Sequence, residues 1–289
     1  MNMPVAFLNT TRRARFPRLA ARTRTAPWSS ALFFCLLFTL LFSACTHAQS
    51  LRVAAASDLQ FAFPDLAAQF EKQSGVKLAA TYGSSGNFVA QIQNGAPFDL
   101  FLSADDAQPR TLVKAGFADA ESLVIYAQGY LVIWLPPDSP LDLTARGFRT
   151  LLDPRIQKIA IANPEHAPYG RAAVFAMREA GLYEQLKSKL VLGENISQAA
   201  QFVQSGSAQA GLIARSLALS PAMKSGKRYE LSGWHFPPLW QAAVVLKSST
   251  NKDAAKAFLE FLKTPEARAI FERFGYSAPL VSLSLESAQ

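Results

Sequence analysis

The stretch from Leu51 to Gly95, LRVAAASDLQFAFPDLAAQFEKQSG followed by VKLAATYGSSGNFVAQIQNG, decides the fold. Its apolar run Leu51 to Ala56 is short and ends at the polar pair Ser57-Asp58, which reads as a buried strand running into a turn. Phe63, Leu66, Ala67 and Phe70 then recur at helical spacing as far as Gly75, a stop signal, and Pro64 kinks or restarts that helix. Val76 to Tyr82 is a second strand, Gly83-Ser84-Ser85-Gly86 a turn, Asn87 to Gln93 a short helix ending at Asn94-Gly95, and Phe98 to Leu102 a third strand. Strands that alternate with helices in this way predict an α/β protein built on doubly wound sheets.

Further along, Tyr130 to Leu135 and Ala242 to Leu246 are long apolar runs that flank the region from Pro136 to Pro238, and they read as two crossings between lobes. Between them lies a second strand and helix series: Ile156 to Ala162, Arg171 to Ala180, Leu190 to Leu192, Ser197 to Gln204 and Ala210 to Ala214. The amphipathic stretches Asp253 to Lys263 and Pro265 to Phe274 then close the chain. The expected organisation is a first lobe made of 49–127 and 241–289 and a second lobe of 128–240.

Upstream of this, residues 1–48 read as a secretory signal. Six arginines precede the apolar segment Ala31 to Phe42, which is too short to span a bilayer comfortably. Cleavage is expected after Ala48, within Thr46-His47-Ala48. Phe42-Ser43-Ala44-Cys45 is an imperfect lipobox that offers Cys45 as a lipid anchor. Arg12-Arg13 suggests the twin-arginine route, but Arg15 stands where that motif wants Phe, which favours the general secretory route. The product is expected outside the cytoplasm, in the periplasm of a bacterium with two membranes.

The leader also accounts for the charge. The chain has 29 basic and 21 acidic side chains, and with the six leader arginines removed the balance is 23 to 21. No Lys/Arg cluster interleaved with aromatics follows residue 49, so nucleic acid is not an expected partner. Both cysteines, Cys35 and Cys45, lie in the leader, which leaves no thiol for a disulfide, zinc site or nucleophile in the remainder.

Four turns from strand into helix carry the chemistry: Ser57-Asp58, Ser84-Ser85-Gly86, Pro168-Tyr169-Gly170 and Glu194-Asn195-Ile196-Ser197. A helix start presents unpaired N–H groups and roughly half a positive charge, so several converging starts can balance a divalent anion without Lys or Arg. Any one of these turns taken alone reads as a plain helix cap rather than a ligand site, and the Ser84-Ser85 doublet between Gly83 and Gly86 is the most telling of them. The set of four, split between lobes, points to a small oxyanion held in a cleft.

Several segments resemble one family: Val53-Ala-Ala-Ala-Ser57, Gly83-Ser-Ser-Gly86 with Ala90-Gln91-Ile92 and Asn94-Gly95-Ala96-Pro97, Asn163-Pro164-Glu165-His166-Ala167-Pro168-Tyr169-Gly170, and Gly193-Glu194-Asn195-Ile196. Together they resemble the periplasmic molybdate-binding proteins of ABC transporters, in order and at fitting spacing from Leu51 to Leu280. The resemblance implies a two-lobed type II periplasmic binding protein that closes on its ligand in the interlobe cleft. It also implies a receptor that captures molybdate or tungstate, works as a monomer, delivers to the membrane permease of an ABC importer, needs no cofactor and catalyses nothing.

Position by position, the resemblance assigns Ser57 and Ser85 as the hydroxyl ligands, with the Asp58 N–H beside the first. It assigns Tyr169 and Ile196 as backbone N–H donors whose side chains matter less than their turn geometry. The oxyanion would thus be held through Ser57, Ser85, Tyr169 and Ile196 with no cation ligand. The family often adds a tyrosine in a Gly-Ile-Val-Tyr stretch; here Gly211-Leu212-Ile213 is followed by Ala214, so that donor is missing.

Asp58 at a helix start reads as a favourable dipole partner. With its carboxylate turned to the ligand it would instead favour a protonated anion such as hydrogen phosphate. A donor-only site suits molybdate, tungstate and sulfate, which offer only acceptors, and size would separate molybdate from sulfate. The runner-up ligand is therefore another oxyanion, sulfate or phosphate. A different class, a secreted serine hydrolase using Ser57 or Ser85, would need His166 or His235 as base, and neither serine sits in a Gly-x-Ser-x-Gly elbow. His166 is expected to order a loop, His235 to pack in an aromatic turn, and Asp105-Asp106 to be a surface pair.

Overall fold

The computed structural model of the chain describes residues 50–231 and 236–279. The expectations for 1–48, with Cys45, and for His235 lie outside the described residues. The chain begins with β1 (Ser50–Ala56), α1 (Phe63–Ser74), β2 (Lys77–Gly83), α2 (Ser85–Gln93), β3 (Leu100–Ser103), α3 (Ala107–Lys114) and β4 (Val124–Gly129). It continues with β5 (Leu131–Leu135), α4 (Leu143–Arg146), β6 (Ile159–Ala162), α5 (Pro168–Glu179), α6 (Tyr183–Leu186) and β7 (Leu190–Gly193). Then come α7 (Ile196–Gln204), β8 (Ala210–Ala214), α8 (Arg215–Ala218) and β9 (Lys227–Glu230), before β10 (Leu239–Val245), α9 (Lys252–Phe261) and α10 (Pro265–Arg273).

These strands form two five-stranded sheets, β2-β1-β3-β10-β4 and β7-β6-β8-β5-β9. Each has a parallel trio: β1 lies between β2 and β3, with Leu51 opposite Leu78 and Val53 opposite Leu100, and β6 lies between β7 and β8. β10 runs antiparallel between β3 and β4, as β5 does between β8 and β9. The apolar runs expected to be crossings are strands beside the crossings. Leu131–Leu135 lies wholly in the second sheet and Leu239–Val245 in the first, so the chain changes sheets at Tyr130 and again between Glu230 and Leu239.

Burial explains why β1 is a continuous apolar run rather than an alternating one. Leu51, Val53 and Ala55 pack with Phe63, Phe70, Phe258 and Phe271 from α1, α9 and α10. Ala54, Phe101 and Val244 pack on the other face with Phe88, Ile92 and Leu112 from α2 and α3. A sheet covered on both faces leaves no polar side to alternate with. The aromatic layer is tight, with Phe70 and Phe258 edge to face at 5.2 Å, and each such buried ring stabilises the fold by about 1.5–3 kcal/mol relative to exposure.

Pro64 restarts the helix rather than kinking a longer one. It occupies the first turn of α1, where its missing N–H leaves no bond unmade, and a separate 3₁₀ turn, Ser57–Leu59, follows β1. Ala56 and Ala104, at the carboxyl ends of β1 and β3, are buried with the core of the second lobe. The two cores therefore meet where the strand ends deliver their turns. Among the described residues, no helix is long and apolar enough to cross a membrane.

Candidate functional site: an interlobe anion cleft

Ser57, Asp58, Ser85, Tyr169 and Ile196 all line one small cavity, together with Ala56, Gly83, Ser84, Ala104, Ala167 and Pro168. Two turns come from each sheet. The lining has no Lys, Arg or His, and among the described residues no cluster of His, Cys, Asp and Glu could hold a metal ion.

The helix starts supply the donors. Pro168 opens α5 without an N–H, and the Gly170 N–H is taken by the Ala167 carbonyl at 3.0 Å, which leaves Tyr169 N as the first-turn donor. This close start needs a glycine: a Cβ at Gly170 would lie 2.2 Å from the Ala162 carbonyl oxygen at the end of β6. In α7 the Asn195 side chain caps the Gln198 N–H at 3.0 Å, so Ile196 N, at the first helical position, has no partner within the helix.

The serines divide their work. Ser84 precedes α2 without capping it; its hydroxyl donates to the His166 carbonyl at 2.6 Å and lies 2.9 Å from His166 Nδ1. Ser85 Oγ accepts the Ala104 N–H at 3.1 Å, and Ser57 Oγ accepts the Ser197 N–H at 3.4 Å. A hydroxyl whose oxygen is already engaged by a backbone donor still has its own proton to give. Ser57 and Ser85 thus each keep a hydroxyl proton to give, and neither acts as a helix cap.

Asp58 departs from the dipole-partner reading. Its 3₁₀ turn spans only three residues, and the side chain turns away to the hydroxyls of Tyr169, 3.2 Å, and Tyr276, 3.0 Å, both donating to Oδ2. Its backbone oxygen accepts from Ser216 Oγ at 2.9 Å and from Tyr276 at 2.8 Å. Asp58 is fully buried, and burial pushes its pKa up to about 6 against the downward pull of the two tyrosine hydrogen bonds. Burial, reinforced by the Asp58 charge, holds the Tyr126, Tyr169 and Tyr276 hydroxyls well above the ordinary tyrosine range, so all three stay neutral.

Tyr169 is therefore more than a turn: its side chain joins the lobes through Asp58. His166 does not merely order its loop either, since its carbonyl takes both Ser84 Oγ–H and the Gly86 N–H, 2.9 Å, from the first lobe. A Cβ at Gly86 would meet that carbonyl at 2.6 Å, so only glycine allows this approach. Asp105 is not a surface pair with Asp106. It accepts from Arg171 across the cleft at 2.7 Å, while Asp106 pairs with Arg110 on its own helix. Gln60 with Ser197 and Asn87 with Glu194 add two more interlobe bonds.

The hydrolase geometry is absent among the described residues. His166 touches Ser84 rather than Ser57 or Ser85, and no carboxylate hydrogen-bonds its ring. Tyr276, Tyr126, Ser216 and Gln241 are the buried groups that sequence reasoning missed. Tyr276 stands 218 residues from Asp58, and a lone tyrosine after a closing helix carries no local signal of that contact.

The bacterial extracellular solute-binding protein family matches residues 51–277. The molybdate-binding protein ModA of Azotobacter vinelandii is 40% identical over 82% of this chain and 93% of its own length. That of Rhodobacter capsulatus is 39% identical over 73% of this chain and 82% of its own. The solved structure of the A. vinelandii periplasmic molybdate-binding protein superposes with a TM-score of 0.75 at 35% identity, covering 80% of this chain and all of that one. A sulfate-binding protein from Mycobacterium tuberculosis, at 18% identity and a TM-score of 0.64, shares the fold. The relatives are binding proteins rather than enzymes, and this chain belongs to the molybdate-binding branch of the bacterial extracellular solute-binding proteins.

Proposed function

We propose that this protein is the extracytoplasmic receptor of an ABC importer, which captures molybdate or tungstate between its two lobes and delivers it to a membrane permease. The observation that carries this reading is the pair of serine hydroxyls in the cavity lining, each with its proton free to donate. Ser57 and Ser85 each have the oxygen engaged by a backbone N–H, from Ser197 and Ala104, and each keeps a proton for the cavity. With the Tyr169 and Ile196 N–H groups they suit an anion that offers only acceptors.

The two lobes close on the ligand through bonds at the rim, and hydrogen bonds to an ionised ligand are among the stronger ones, about 1.5–3 kcal/mol each. The protein acts as a monomer in the periplasm, exported by the signal in 1–48, with Cys45 as the residue a lipid anchor would use. It needs no cofactor. Calorimetric titration with molybdate, tungstate, sulfate and phosphate tests this: the first two bind one to one and tightly, and the others do not compete at similar concentration.

A further inference from the structure

Among the described residues one ion pair joins the two lobes: Arg171 Nη2, from the second, donates to Asp105 Oδ2, in the first, at 2.7 Å. The others pair residues within a lobe, as Arg110 does with Asp106 and Arg146 with Asp153. The interlobe bonds made by Ser84, Gly86, Ser197 and Asn87 all have neutral donors.

Local stability does not account for Arg171. It stands in the first turn of α5, one residue after Gly170, where a cation opposes the positive end of the helix dipole. Its backbone N–H is taken by the Ala167 carbonyl at 3.1 Å, so the side chain is what the position offers beyond the helix. Asp105, in contrast, is held by its own lobe. Oδ1 accepts from Ser103 Oγ at 3.2 Å and from the Gln108 N–H at 3.1 Å, which leaves Oδ2 for the arginine.

Both partners adjoin the groups that face the ligand. Asp105 follows Ala104, whose N–H donates to Ser85 Oγ at 3.1 Å, and Arg171 comes two residues after Tyr169, the first-turn donor. Neither side chain lines the cavity. The pair is open to solvent, with 40% of the arginine side chain and 15% of the aspartate side chain exposed.

We propose that Asp105 and Arg171 form an electrostatic latch that holds the lobes closed over the bound anion and sets how long it stays. They are positioning residues: the pair pins the Ala104 and Tyr169 segments together without touching the ligand. The inference rests on the receptor reading above and adds what governs release. Because the pair is partly exposed, salt screens it, and release quickens as ionic strength rises.

The test follows the loss of radiolabelled molybdate from the purified protein after a chase with excess unlabelled molybdate, at about 0.05 M and about 0.5 M NaCl, a range over which the screening length falls about threefold. Release from the wild type quickens with salt. Arg171→Gln and Asp105→Asn each release the anion about fivefold faster at low salt, the upper end for a partly exposed pair, and lose most of the salt response. Arg171→Lys, which keeps the charge, releases more slowly than Arg171→Gln. The double variant is no faster than either single one, since each already breaks the pair. Release at the wild-type rate from the single variants, or effects that add in the double variant, overturns the latch and leaves the receptor reading standing. A lower denaturant midpoint for ligand-free Arg171→Gln with unchanged release assigns the pair to fold stability and overturns it too. Failure of the wild type to bind molybdate defeats both.

Discussion

Tyr276 and Asp58 lie on segments at opposite ends of the folded chain, yet the Tyr276 hydroxyl sits 3.0 Å from Asp58 Oδ2 and 2.8 Å from its backbone oxygen. The contact ties the residue after the last helix to the first strand's turn. Tyr276→Phe removes one donor from a buried carboxyl group and leaves it less solvated. The expected loss is about 1–3 kcal/mol of stability at neutral pH, read as a lower denaturant midpoint with an unchanged slope. The Asp58 pKa rises further, because the tyrosine hydrogen bond is one of the influences that lower it; an NMR titration of the carboxyl carbon reads this.

Asp58 also gives the protein a specific pH dependence of stability. Its folded pKa of about 6 stands above the ordinary 3.8, so the folded state holds the proton more tightly than the unfolded one. Its contribution is most favourable below pH 4 and is lost as pH rises toward 6. Asp58→Asn removes this penalty. Denaturant titrations of the ligand-free pair should show the variant gaining on the wild type at pH 8, by up to about 3 kcal/mol on the scale of 1.36 kcal/mol per pKa unit, with the gain shrinking toward pH 4.

Ser85→Ala separates a ligand hydroxyl from a helix cap. Its Oγ accepts only the Ala104 N–H among the bonds described here, so its proton is the group at stake. Loss of one hydrogen bond to a charged ligand, about 1.5–3 kcal/mol, weakens molybdate binding on the order of tenfold or more by calorimetry. Ser84→Ala, in contrast, cuts the bond to His166 and acts on closure.

Gly86→Ala tests closure directly. The new methyl group would lie 2.6 Å from the His166 carbonyl oxygen and 2.9 Å from its Cα, across the lobes. In isolation the change favours the helix by up to about 1 kcal/mol. The ligand-free variant should therefore melt no lower than the wild type, while molybdate binds more than tenfold more weakly and small-angle scattering shows less compaction on ligand addition.

The parts of this architecture legible in the sequence are those that local pattern controls. β1, α1 and the Ser84-Ser85 turn follow from apolar runs, helical spacing and glycine punctuation, and the structure gathers Ser57, Asp58, Ser85, Tyr169 and Ile196 around one cavity. What stayed hidden depends on long-range contact. Nothing near Asp58 announces that Tyr276 and Tyr169 hold its carboxyl group, nor does the run Asp105-Asp106 show which aspartate crosses to Arg171. The apolar runs at 130–135 and 242–246 could not reveal whether they cross between sheets or sit within them, because burial on both faces erases the alternation that would tell.

The central claim is that a donor-lined cleft selects an acceptor-only dianion. Calorimetric titration with molybdate in competition with phosphate tests it most directly. The account predicts tight one-to-one molybdate binding that a large excess of phosphate does not displace. Preferential binding of phosphate, or no binding of molybdate, would contradict it.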